Sequence, residues 1–193
     1  MGVNHKICIG LPTNRGVKPQ TAESLLNMIA HSKYRFHFVI STKGYNTAEN
    51  RNRIVAQAIK NNCTHLLLTD DDMTYDSDTL DRLVAHKKDI VGATANVRGM
   101  HPDGVETLVV EYLKDEIDFG DVFKVKAIGG SMLLIDLSII PKIETPLFWY
   151  KVHKIGMVEM SNDYWFCEKA REAGFDIWYD STIKLKHIGD REY

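Results

Sequence analysis

Leu66-Leu67-Leu68-Thr69-Asp70-Asp71-Asp72 is where fold and chemistry meet in this 193-residue chain. A short, wholly apolar run reads as a strand buried on both faces, the kind found in parallel sheets covered by helices. Here the run passes directly into three carboxylates. Ligands of open α/β sheets bind outside the carboxyl ends of the strands, so the triplet falls where a ligand would sit. If extended geometry continues through it, Asp70 and Asp72 project to one side and Asp71 to the other. Adjacent carboxylates repel, and a hard divalent cation, Mg²⁺ or Mn²⁺, relieves that repulsion and can bridge to a diphosphate. The plainer reading of the same residues is a solvated turn or a helix cap.

Outward from the triplet, strands and helices alternate. Lys6 to Leu11 is an apolar run stopped by Pro12. Pro19-Gln20-Thr21 opens a helix that carries Leu25, Leu26, Met28 and Ile29 to about His31. Tyr34 to Ile40 is aromatic and β-branched, a second strand. Ala48 to Ile59 has Ile54, Val55, Ala58 and Ile59 at helical spacing, with Arg51 and Arg53 off that stripe. After the triplet, Asp76 and Ser77 are placed to cap a helix bearing Leu80, Leu83 and Val84, and Ile90 to Ala95 is a fourth strand. The series predicts a mostly parallel sheet with helices on both faces. The second half is more irregular. Val105 to Tyr112, Val122 to Val125 and Met132 to Ile135 read as strands, the last preceded by Gly129-Gly130. Asp163 to Ala173 reads as a helix closed by Gly174, followed by short strands at Ile177 to Tyr179 and Ile183 to Leu185. Residues 98–122 form the loosest stretch.

Composition narrows the classes. The chain is 44% hydrophobic and 26% charged, with a net charge of −2, so no basic field points to nucleic acid. No apolar run approaches the ~20 residues of a membrane span. The apolar start, Ile7 to Leu11, is too short for a signal-peptide core, and Lys6 breaks the myristoylation pattern after Gly2. Cys8, Cys63 and Cys167 are far apart and odd in number, which reads as buried thiols in a reducing compartment, the cytoplasm, and not as disulfides or zinc ligands.

Several segments, in order, resemble the GT-A glycosyltransferases, nucleotide-sugar enzymes with an Asp-x-Asp metal motif. Gly10-Leu11-Pro12-Thr13 resembles their first strand end, and Asn50-Arg51-Asn52 the stretch facing base or phosphate. Leu68-Thr69-Asp70-Asp71-Asp72-Met73 resembles the metal motif, and Ile128-Gly129-Gly130-Ser131-Met132 the glycine turn bordering donor sugar and acceptor. Ser161 to Cys167 resembles the segment supplying the base of inverting members, and Lys186-His187-Ile188-Gly189 the late His completing the metal site. The family's usual Glu-Asp is Asn162-Asp163 here, which makes Glu159 a second candidate base.

The resemblance implies one GT-A domain over residues 1–193, with a nucleotide-binding half at 1–97 and an acceptor and metal-completing half at 98–193. It implies a smaller antiparallel sheet in the second half. Asp70, Asp72 and His187 would hold Mn²⁺ or Mg²⁺. Pro12, Thr13, Arg51, Asp70, Asp71, Gly129 and Gly130 would meet a nucleotide-sugar donor, UDP favoured. Asp163 would deprotonate a hydroxyl acceptor, a glycan or other alcohol, for inverting transfer. By their residue types alone, His187 also reads as a hydrogen-bonded core residue, Asp163 as an N-cap, Arg51 as a surface cation and Gly129-Gly130 as a turn. Trp149, Tyr150 and Trp165 are candidates to stack on a sugar, and Arg98, His101 and Asp103 to cover the donor. Two other classes remain open. A nucleotidyltransferase would want a glycine-rich basic loop after the first strand, where Pro12 to Lys18 has only Gly16. A non-catalytic glycan-binding module would bind sugar without metal.

Overall fold

The computed structural model describes residues 5–95, 109–113 and 120–188. Five strands and three helices come first: β1 (Lys6–Pro12), α1 (Pro19–His31), β2 (Arg35–Ser41), α2 (Thr47–Lys60), β3 (His65–Thr69), the short β4 (Met73–Thr74), α3 (Thr79–Ala85) and β5 (Ile90–Ala93). Then come β6 (Val110–Glu111), β7 (Val122–Val125), β8 (Ala127–Ile128) and β9 (Met132–Asp136), which runs into a 3₁₀ turn at Leu137–Lys142. The described residues finish with β10 (Lys151–Val152), β11 (Val158–Met160), α4 (Asn162–Glu172), β12 (Ile177–Asp180) and β13 (Lys186–His187).

The central sheet has seven strands in the order β2-β1-β3-β9-β5-β12-β7. β1 lies parallel to β2 and β3, and β12 parallel to β5. β9 runs antiparallel between β3 and β5, and β7 is an antiparallel edge. Small antiparallel pairs, β10-β11, β13-β4 and β6-β8, surround this sheet. The insertion of β9 places a strand from the second half antiparallel between β3 and β5 of the first half. An apolar run marks a strand as central but carries no information about its neighbours.

Side chains alternate between the two faces of the sheet, and both faces are covered. Cys8, Leu66, Leu68, Ile90, Leu133 and Ile135 pack with Ile54, Val55 and Ala58 of α2 and Phe166 and Ala170 of α4. Ile7, Ile9, Leu67, Val91 and Leu134 pack with Leu25 and Met28 of α1 and Leu80 and Leu83 of α3. Covering both faces explains why the strands read as continuous apolar runs instead of alternating ones.

Two local expectations are corrected. The residue capping α3 is Asp78, not Asp76 or Ser77, and no side chain bonds the helix end. Of the last predicted strand, Ile183 and Leu185 are buried, but only Lys186–His187 pairs as a strand. The predicted strand at Val105 to Tyr112 is described only in part, as β6, and Arg98, His101 and Asp103 lie outside the described residues. Among the described residues no helix is long and apolar enough to cross a membrane.

Candidate active site

β3 delivers the Asp triplet to the carboxyl edge of the sheet, where the chain turns back into β4. Strand geometry ends at Thr69, so the expected side-to-side alternation of Asp70, Asp71 and Asp72 does not hold. Asp71 and Asp72 are both buried, and the guanidinium of Arg15 approaches both, at 3.8 and 3.5 Å. Asp70 faces the other way, toward Arg51 at 3.3 Å.

The turn is fastened from two sides. The Lys18 N–H donates to the Asp71 carbonyl (2.9 Å), and the Ile188 N–H to the Asp72 carbonyl (2.8 Å). The Lys18 ammonium donates to the Ile188 carbonyl at 3.0 Å. Antiparallel pairing sets His187 opposite Met73, beside the triplet. The Thr13 hydroxyl donates to the Asp71 carboxylate and accepts from the Arg15 and Gly16 N–H groups, which shapes the loop after β1. The result is a polar cleft of about 300 Å³ lined by Pro12, Thr13, Asn14, Arg15, Thr47, Asp70, Asp71, Asp72 and His187.

Arg51 is the hub behind this cleft. It projects from the first turns of α2 and is only 3% exposed. Its guanidinium donates to the Asn162 side-chain oxygen, lies 3.8 Å from Asp163 and sits 5.8 Å from the centre of the Phe148 ring. It is neither a surface cation nor a wall of the cleft: it ties the Asp triplet to the start of α4. Asn162 gives this hub a neutral acceptor, where another carboxylate would add to the negative charge around one cation.

The neighbouring residues are positioned by the same hub. A Cβ on Gly130 would come within 2.4 Å of the Arg51 guanidinium, and one on Gly129 within 2.8 Å of Val109. The space before these glycines is filled by protein, and neither lines the cleft. Asn50 accepts from Ser41 (2.9 Å) and the Gly44 N–H (2.8 Å) and donates to Asn14 (3.0 Å). Asn52 donates to and accepts from the Phe148 backbone. Asn50-Arg51-Asn52 therefore holds loops together, and none of the three lines the cleft.

Asp163 lies in the first turn of α4, behind Ser161 at the N-cap. It accepts from the Gly130 N–H (2.9 Å), the Tyr164 N–H (3.1 Å) and the Ser161 hydroxyl. Burial alone would raise its pKa, but Arg51 and these donors outweigh burial and hold it below the usual carboxylate value. Asp70 goes the other way. Burial and the Asp163 charge push it up, and Arg51, His187 and a hydrogen bond with Ser131 do not offset them. Glu159 is exposed on β11. The Trp165 indole N–H donates to the Pro146 carbonyl at 3.0 Å, and Trp149 is half exposed.

The cleft therefore gathers Pro12, Thr13, Asp70, Asp71, Asp72 and His187 from the expected set. Arg51, Gly130 and Asp163 form an adjoining cluster joined to it through Asp70. Arg15, Asn14 and Thr47 complete the lining without having been singled out. Position was the missed signal for the first two, because the loop after the first strand of such a sheet borders its ligand. Among the described residues, no three His, Cys, Asp or Glu side chains are gathered as a finished metal-ligand group. The chemistry of the donor set still fits a hard divalent ion: the Asp70 and Asp72 carboxylates and the His187 imidazole line one cleft.

Sheet and helices define a Rossmann-like α/β fold. A197 from STIV is similar, with a TM-score of 0.63 at 15% identity over 96% of this chain and 86% of A197. TarS 1–349 of S. aureus has a TM-score of 0.54 at 14% identity, over 93% of this chain and 60% of that one. In a second TarS structure the match reaches 16% identity and 36% of the longer chain. At these identities the likeness is one of fold. No family model matches the sequence, and no curated protein matches it.

Proposed function

We propose that the protein is a metal-dependent glycosyltransferase that moves a sugar from a nucleoside diphosphate donor, with UDP favoured, to a hydroxyl acceptor with inversion. The observation that carries this reading is the acidic cleft at the carboxyl ends of β1 and β3, with a further, partly buried carboxylate, Asp163, coupled to it through Arg51. The fold shared with A197 and TarS is in keeping with the GT-A resemblance of the sequence motifs.

In this reading Asp70, Asp72 and His187 would hold Mn²⁺ or Mg²⁺. When bound there, the ion would supply Lewis-acid stabilisation to a leaving diphosphate. Arg15, with 72% of its side chain exposed at the cleft mouth, adds a positive charge on the same side. Pro12 and Thr13 form the floor under the nucleotide, and Asp71 fixes that floor through the Thr13 hydroxyl. Asp163 takes the acceptor's proton as its oxygen attacks the anomeric carbon opposite the leaving group. A carboxylate so well stabilised is a weak base, so the proton moves with the attack and not before it.

Titration calorimetry of UDP-sugars with Mn²⁺ and with EDTA tests the reading. Binding is expected with Mn²⁺ and lost with EDTA. Equal affinity in both overturns the metal role, and no binding of UDP-, GDP- or dTDP-sugars overturns the class.

A further inference from the structure

Five of the eleven large apolar side chains that stand exposed among the described residues fall between Trp149 and Val158. They belong to a ribbon outside the central sheet, in which β10 pairs only with β11. The turn closes through the His153 N–H to the Met157 carbonyl (2.7 Å) and the Gly156 N–H to the His153 carbonyl (2.8 Å). Gly156 takes the left-handed conformation such a turn needs, at φ 88°. Every residue from 151 to 159 is exposed. Ile155 (74%) and Met157 (65%) straddle Gly156 at the tip, and Trp149 (52%), Val152 and Val158 lie nearer the body.

An apolar prong held in water is unfavourable unless something covers it. Its charges say what. His153 and Lys154 sit at the turn and Lys151 at the base of the ribbon, opposite Met160, with Glu159 the sole acid of the ribbon, on a chain whose net charge is −2. We propose that this hairpin seats the protein on an anionic bilayer surface, with Ile155 and Met157 entering the acyl boundary and the lysines meeting lipid headgroups. Apolar tips ringed by cations match that interface in both polarity and charge. Trp149 stands where a half-exposed indole suits the headgroup level. A second copy suits the prong less, because it would bring cation against cation and convex tip against convex tip. The ribbon ends at Met160, and α4 starts at Asn162, so docking fixes Asp163 close to the membrane. Resting on the transferase reading above, the acceptor would then be a hydroxyl carried by a membrane-anchored molecule; the docking itself does not depend on that reading.

Co-sedimentation of the full chain with vesicles tests the proposal, with phosphatidylcholine alone against phosphatidylcholine carrying about 30% phosphatidylglycerol. Binding to the anionic vesicles is expected, weakening with salt. It should fall about ten-fold or more in the Ile155→Asp/Met157→Asp double variant. Lys151→Gln and Lys154→Gln should each lower it about five-fold. All four side chains are exposed, so the melting midpoints should match wild type, as should UDP-sugar binding. No nucleotide is present in the vesicle assay, so failure of the transferase reading would leave its result intact. A wild-type chain that stays in the supernatant, or a double variant that binds as wild type does, overturns the proposal. So does a dimer in sedimentation velocity that the double variant abolishes, since the prong would then belong to a second copy.

Discussion

Asp70 and Asp180 both stand at the carboxyl ends of parallel strands in one sheet, yet they are held in opposite ways. Asp180, 1% exposed at the end of β12, is closed in. His86 Nε2 lies 2.9 Å from it, the Thr182 N–H donates at 2.8 Å, the Thr182 hydroxyl donates as well, and Arg82 is 3.7 Å away. Burial would raise its pKa, but Thr182, His86 and Arg82 more than reverse that, and it rests below the usual carboxylate value. Asp70 has burial and the Asp163 charge against it, and its pKa is raised. A carboxylate whose partners more than balance it stabilises the fold. One whose burial and carboxylate neighbour outweigh its cation opposes folding when ionised and favours a cationic ligand, and that difference separates the structural centre from the candidate active one.

The largest effect should come from the open centre. Asp163→Asn keeps the shape of the first turn of α4 and removes the basic charge. Turnover with a UDP-sugar is expected to fall about 10²–10⁴-fold with donor binding nearly unchanged. The product's anomeric configuration, read by NMR, should be opposite to the donor's. Retention, or near-normal turnover beside a large loss in Glu159→Gln, would move the base elsewhere.

Arg51→Ala comes next. It leaves Asp70 and Asp163 facing each other without their shared cation, and removal of one buried partner typically costs about 3–5 kcal/mol. Urea unfolding should show that loss. A variant as stable as wild type would break the claim that Arg51 is the hub.

Asp180→Asn should lower stability by about 1.5–3 kcal/mol, the range for hydrogen bonds to a charged group. The sign with pH follows from linkage. A carboxylate whose folded pKa is depressed adds stability above the ordinary carboxylate range and loses it as pH falls through its own folded value. The gap between wild type and Asp180→Asn should therefore close in acid.

Asp70→Asn should do the reverse, and weakly. A raised folded pKa means that the ionised form opposes folding once pH has risen through the ordinary carboxylate range. The neutral variant should gain up to about 1 kcal/mol at neutral pH, lose that gain in acid, and lose Mn²⁺-dependent donor binding. If Asp70→Asn and Asp180→Asn shift the melting midpoint in the same direction, the two centres do not differ as described.

The sequence by itself determined the alternating elements. α1 was legible from Pro19 to His31, and the buried strands from runs such as Leu66-Leu67-Leu68, because periodicity and end signals are properties of neighbouring residues. It also determined that three carboxylates leave a buried strand at the ligand edge of a sheet. Tertiary structure alone decided three things. It set β9 antiparallel between β3 and β5, turned Arg51 inward to join Asp70 to Asp163, and brought His187 across more than a hundred residues to the turn after β3. Each depends on which distant segments pair and which charges share one buried space. Those pairings are settled by long-range burial and desolvation, which a local pattern of residues does not encode.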